Sequence, residues 1–99
     1  MNLEKEFIMN AIKNYILSDK ILKNNVISIY SMGSFAKNDI FSDVDLNFFV
    51  HENNSKVIKN VRKMMDYFLK KYSLYLDINI IGKSLDNRDI YEVILGKSN

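Results

Sequence analysis

Asp43-Val44-Asp45-Leu46-Asn47-Phe48-Phe49-Val50 is the stretch on which the fold turns. Side chains alternate across an extended strand. Val44, Leu46, Phe48 and Val50 therefore share one face, apolar throughout, and Asp43, Asp45 and Asn47 share the other. The run stops at His51-Glu52-Asn53-Asn54, so the pattern predicts a strand over 44–50 with one buried and one polar face.

On the C-terminal side, Ser55 is a fitting N-cap. Val57, Ile58, Val61, Met64, Met65, Phe68, Leu69 and Tyr72 then recur every three or four positions, opposite Lys56, Lys59, Arg62 and Lys63. This is an amphipathic helix whose methionines are core packing. A third strand is predicted over 74–81, with Leu74, Leu76, Ile78 and Ile80 inward and Asp77 between Tyr75 and Asn79 on the other face. The segment 87–95 reads either as a short helix or as a helical turn and edge strand. On the N-terminal side, the β-branched and aromatic run Val26 to Met32 predicts a strand ending at Gly33-Ser34. Before it, Leu3, Phe7, Ile8, Ala11, Ile12, Tyr15, Ile16 and Leu22 keep helical spacing over 3–22, and Asn24-Asn25 ends the helix. The order is helix, strand, short helix, strand, helix, strand, tail. The predicted class is α/β (α+β), a small mixed β-sheet with helices packed against it, in one domain over 1–99.

Composition narrows the function classes. The 99 residues are 47% hydrophobic and 26% charged, near the globular average, which argues against disorder. There is no cysteine, hence no disulfide and no thiolate metal site. No apolar run approaches the roughly 18 residues of a membrane span, and the N-terminus does not read as a signal peptide. The expected address is cytoplasmic. The net charge of +2 is 14 basic against 12 acidic residues, and of the basic ones only Arg62 and Arg88 are arginine. The lysines are scattered along the sequence, which disfavours a nucleic-acid-binding patch.

Chemistry enters on the polar strand faces. Residues i and i+2 of a strand lie about 6.5–7 Å apart, so Asp43 and Asp45 converge. Asp77 joins them if the second and third strands are neighbours. Carboxylates held together repel unless something neutralises them, and Mg²⁺ or Mn²⁺ suits hard oxygen donors. A simply solvated polar face is the alternative on spacing alone. Gly33-Ser34, at a strand end and a helix start, suits an anion, with Lys37 one turn further on. Asp43-x-Asp45-x-Asn47 also opens like an EF-hand loop, but Phe48 and Asn54 occupy the positions of the required glycine and glutamate. No Walker A or G-x-G-x-x-G stretch occurs, and His51, the one histidine, reads as a surface turn residue.

Taken together, Gly33-Ser34-Phe35-Ala36-Lys37 and Ser42-Asp43-Val44-Asp45-Leu46 resemble the signature of the minimal nucleotidyltransferases of the DNA polymerase beta superfamily. Their pattern is Gly-Ser-x-Ala-Arg, a short variable loop, Ser-Asp-x-Asp-Leu, and a third aspartate on a later strand. Asp77 in Leu76-Asp77-Ile78 matches that third position, and Lys37 stands where arginine is usual. The resemblance implies a polymerase-beta-like nucleotidyltransferase fold. It implies metal ligation and catalysis by Asp43, Asp45 and Asp77, with Asp77 acting as or positioning the base. It implies NTP binding, commonly ATP, by Gly33, Ser34, Lys37 and Ser42. The activity implied is Mg²⁺-dependent transfer of a nucleotide, AMP first, to a hydroxyl. Larger relatives carry a helical acceptor-binding domain, so the acceptor surface is expected from a small helical HEPN-type partner or from self-association. The leading version is an antitoxin that modifies a tyrosine of its toxin. The alternatives are an antitoxin acting by occlusion without catalysis, and a small-molecule transferase of the aminoglycoside type.

Overall fold

Two runs rich in β-branched and aromatic residues form the centre of the sheet, β1 over Val26–Met32 and β2 over Val44–Val50, both with the predicted limits. The computed structural model describes residues 4–33, 35 and 43–81, and the backbone of 92–95. Around the central pair lie helices α1 (Lys5–Ser18), α2 (Lys20–Asn25) and α3 (Ser55–Tyr72), and strands β3 (Leu76–Ile81) and β4 (Glu92–Leu95). The sheet is four-stranded in the order β3-β2-β1-β4. β1 is antiparallel to both β2 and β4, whereas β2 and β3 run parallel and are joined through α3. A bulge between Val26 and Ser28 shifts the β1–β2 register by one residue. The mixed sheet with packed helices agrees with the sequence pattern.

The core lies on one face of the sheet. Val44, Leu46, Phe48 and Val50 of β2, Ile29 of β1 and Leu76 of β3 are buried there. Ile8, Ile12 and Ile16 of α1, Leu22 of α2, and Val57, Val61, Met64 and Phe68 of α3 cover them. Each such side chain taken from water contributes about 1.5–3 kcal/mol to folding. The helices named here cover this face, and Asp45, Asn47 and Asp77 lie on the opposite one, where Tyr30, Asn47 and Phe49 are buried.

Three boundaries differ from the sequence expectation, and one open reading is narrowed. The single helix expected over 3–22 is two helices, broken at Asp19, whose backbone is extended (φ −101, ψ 112). Its carboxylate accepts from the N–H groups of Ile21 (2.9 Å) and Leu22 (3.1 Å), so it caps α2. The same carboxylate accepts from Asn60 Nδ2 at 3.1 Å, tying the break to α3, and α2 continues through Asn25. The N-cap of α3 is Asn54 rather than Ser55, with Oδ1 accepting from Val57 N at 3.0 Å. β3 starts at Leu76 and not at 74, because Ser73 ends α3 in the left-handed conformation (φ 53, ψ 37). Finally, Glu92–Leu95 forms a strand, β4, which favours the edge strand of the two readings of 87–95, while 87–91 lie outside the described residues. The short helix expected after Gly33-Ser34 falls largely outside the described residues. No helix among the described residues is long and apolar enough to cross a membrane.

Candidate functional site

The apolar faces of β2 and β3 both point at the helices, so their polar faces must coincide. Parallel pairing then sets Asp45 opposite Asp77 and, two residues on, Asn47 opposite Asn79. On the other flank of β2, Met32 stands opposite Asp45 and Tyr30 opposite Asn47. The sheet face opposite the helices thus carries two rows, Asp77–Asp45–Met32 and Asn79–Asn47–Tyr30. They lie where β1 ends and where β2 and β3 begin. Asp43 sits one residue ahead of β2 and is exposed.

Gly33 closes the first row. It leaves β1 with φ +64, a conformation that L side chains avoid. A Cβ at this position would lie 2.6 Å from Asp45 Oδ2, closer than packed atoms come. Glycine is required here twice over, for the turn and for the approach of Asp45. Two residues later Phe35 is fully buried in the core, which pins the chain as it leaves the strand.

The electrostatics follow from the register. Partial burial is the main cause that holds the Asp45 carboxyl above the usual carboxylate range. The charge of Asp77, a hydrogen bond to Asp77 and the charge of Asp43 add to it. Like charges held this close disfavour ionisation unless a cation neutralises them. Behind them, Asn47 is buried. Its Oδ1 accepts from Asn79 Nδ2 at 3.3 Å, and its Nδ2 donates to the thioether of Met32. This second row holds the polar face rigid directly beside the carboxylates.

Among the described residues no three Asp, Glu, His or Cys side chains close around one point as an ion site. The donors that face each other are a pair, Asp45 and Asp77. A carboxylate pair still fits Mg²⁺, which retains several waters and is commonly held by one or two carboxylates together with substrate phosphates. The expected phosphate-binding residues Ser34, Lys37 and Ser42 lie outside the described residues. Gly33 is in place beside Asp45, so the structure brings together Gly33, Asp45 and Asp77, with Asp43 at their edge.

Sequence reasoning placed Asn79 on the face of Asp77 but missed its pairing with Asn47, and it missed Met32 as a neighbour of the site. Asn47 and Asn79 each follow a row aspartate by two residues, and that equal offset was the available signal. It also missed a cavity of about 480 Å³ between α1 and α3, lined by Phe7, Tyr15, Tyr67 and Tyr72 among others. That cavity shares no residue with the carboxylate row. Comparisons with models of protein families, with curated proteins and with solved structures found no match to this chain.

Proposed function

We propose that this chain is a Mg²⁺- or Mn²⁺-dependent nucleotidyltransferase of polymerase-beta-like fold that transfers a nucleotide, AMP from ATP first, to a hydroxyl acceptor. One observation carries the reading: Asp45 and Asp77 face each other in register on adjacent strands while Gly33 abuts the Asp45 carboxylate. Nothing in the core requires this arrangement, since both carboxyls point away from it and their mutual charge opposes folding.

The chemistry proposed for these residues is an in-line displacement. The acceptor hydroxyl gives its proton to Asp77, its oxygen bonds to the α-phosphorus, and the bond from that phosphorus to pyrophosphate breaks, the leaving oxygen keeping the electron pair. Asp45 and Asp77, with Asp43, would hold the divalent ion. When bound, that ion neutralises phosphate charge and stabilises the entering and leaving oxygens. Gly33 leaves room for the Asp45 carboxylate at the strand end. The resemblance assigns phosphate contacts to it and to Ser34, Lys37 and Ser42. The acceptor assigned first is a tyrosine of a small helical HEPN-type partner, in a toxin–antitoxin pair.

The test is incubation with α-labelled ATP and Mg²⁺, with and without lysate from the source organism, beside Asp45→Asn. Label on a protein or small product with the wild type and not with the variant supports transfer. Mg²⁺-dependent ATP binding without transfer under any metal or nucleotide assigns the chain to binding, and the occlusion reading replaces this one.

A further inference from the structure

The lysines that look scattered along the sequence gather on α3. This helix holds six of the 14 basic residues and one of the 12 acidic ones, a net +5. With +2 on the whole chain, everything outside α3 sums to −3. Lys56, Lys59, Lys63 and Lys70 lie opposite the buried stripe, all exposed. Lys70 pairs with Asp66 at 2.9 Å, one turn back on the same helix. Among the described residues Lys56, Lys59, Arg62 and Lys63 have no carboxylate partner. Spaced three or four apart, they repel one another, and this weakens a helix unless opposite charge is supplied from outside.

Beside this charged side runs a second stripe, Ile58, Arg62, Met65 and Leu69, at i, i+4, i+7 and i+11. Ile58 and Met65 are only partly covered and Leu69 is 49% exposed. A groove of about 480 Å³ follows Ser55, Ile58, Lys59, Arg62, Lys63 and Asp66, the one carboxylate in it being paired with Lys70. An apolar seam at helical spacing edged by cations is the surface that one helix offers to another.

We propose that this side of α3 docks an acidic amphipathic helix of a partner protein. The partner's apolar residues would lie on Ile58, Met65 and Leu69, with its carboxylates against Lys59, Arg62 and Lys63. A phosphate backbone satisfies the cations but has no use for the apolar seam. Five of the six cations are lysine, without the fork that grips phosphate, and the seam has no aromatic ring on which a base would stack. The proposal does not depend on the catalytic reading, because α3 covers the core face of the sheet and the carboxylate row lies on the other.

The experiment measures fluorescence anisotropy of three labelled probes with the full chain at low and physiological salt. The probes are a Leu/Glu peptide with leucines at i, i+4 and i+7, a scrambled peptide of identical composition, and poly(U) RNA. The ordered peptide binds with a micromolar Kd, and the scrambled one is about tenfold weaker. Lys59→Glu with Lys63→Glu weakens the ordered peptide about tenfold and flattens its salt dependence. Leu69→Ser weakens it severalfold with the salt dependence unchanged. All three positions are exposed, and circular dichroism verifies that the variants fold. Equal binding of ordered and scrambled peptides, or no effect of Leu69→Ser, overturns the proposal. Tighter binding of poly(U) reassigns the face to nucleic acid, and failure of every probe to bind makes it a solvated surface.

Discussion

Alanine at Gly33 probes how the carboxylate row is built. The backbone there has φ +64, which costs an L residue roughly 1–2 kcal/mol. Part of that, about 0.4–1 kcal/mol, is returned because alanine restricts the unfolded chain. The second effect is steric. A methyl group 2.6 Å from Asp45 Oδ2 forces that carboxylate to shift, and turning the end of a partly exposed side chain off its preferred rotamer costs about 1 kcal/mol. Gly33→Ala is therefore expected to lose about 1–2.5 kcal/mol, a sizeable share of the roughly 5–15 kcal/mol that holds a domain together. Urea unfolding followed by circular dichroism reads this as a lower midpoint at unchanged slope. The two contributions separate in a double-mutant cycle. Asp45→Ala removes the group that the methyl meets, so the steric part disappears in the double variant while the backbone part stays. The expected coupling is about 1 kcal/mol. Additive single effects would refute the close approach, and a Gly33→Ala protein as stable as wild type would refute the backbone argument too.

Three further outcomes are expected. Because the folded state holds a proton on Asp45 more tightly than the unfolded chain does, this group favours folding below the ordinary carboxylate value near pH 4, and that contribution is lost as pH rises through the folded value. Asp45→Asn is thus more stable than wild type at neutral pH without divalent ions, by a margin that shrinks towards pH 4. Mg²⁺ raises the wild-type melting temperature and not the variant's, and a variant less stable at pH 7 would contradict this. Asp19→Ala loses the cap of α2 and the tie to Asn60, about 2–3 kcal/mol, whereas Asn60→Ala loses only the tie, about 1 kcal/mol. Equal losses in urea melts would show that the cap is idle. Ser73→Gly relieves the left-handed residue after α3 and raises stability by about 0.5–1 kcal/mol, and a lower midpoint would show that the serine side chain matters there.

Where burial alternates or recurs without interruption, the sequence was a sufficient guide. The limits of β1 and β2 and the length of α3 follow directly from their apolar periods. It misled where burial continues through a change of backbone. Ile16 and Leu22 enter the same core from two helices, so their spacing hides the break at Asp19. Leu74 is buried from a turn, and counting it extended β3 by two residues. Asn54 and Ser55 are both capping residues, and only backbone geometry chooses between them. The carboxylate row was legible in part. Period two gave the shared polar face, but that β2 and β3 are neighbours, with Asp45 against Asp77, depends on tertiary pairing that no local pattern encodes.

That pairing has to be fixed by something stronger than the alternation. A one-residue slip of β3 would turn Leu76, Ile78 and Ile80 outward, and burial forbids it. A two-residue slip preserves every apolar side chain on its face, yet it sets Asp45 against Tyr75 or Asn79 and dissolves the carboxylate pair. Repulsion between Asp45 and Asp77 favours such a slip. What opposes it lies at the start of the strand. Ser73 N–H donates to Leu69 O at 3.0 Å and Leu74 N–H to Phe68 O at 3.3 Å, locking the exit from α3. Tyr75 O then accepts from Val44 N at 3.1 Å, one residue before the strand proper. Residues 73–75 leave no slack between a helix packed on the core and the first rung of the ladder. The end of α3 thus sets the register, and through it the distance between two carboxylates on the far side of the sheet. Lengthening this link by two residues should release the pair while leaving the core intact. Asp45 would then return towards the ordinary carboxylate range, a change that its titration by NMR would read directly.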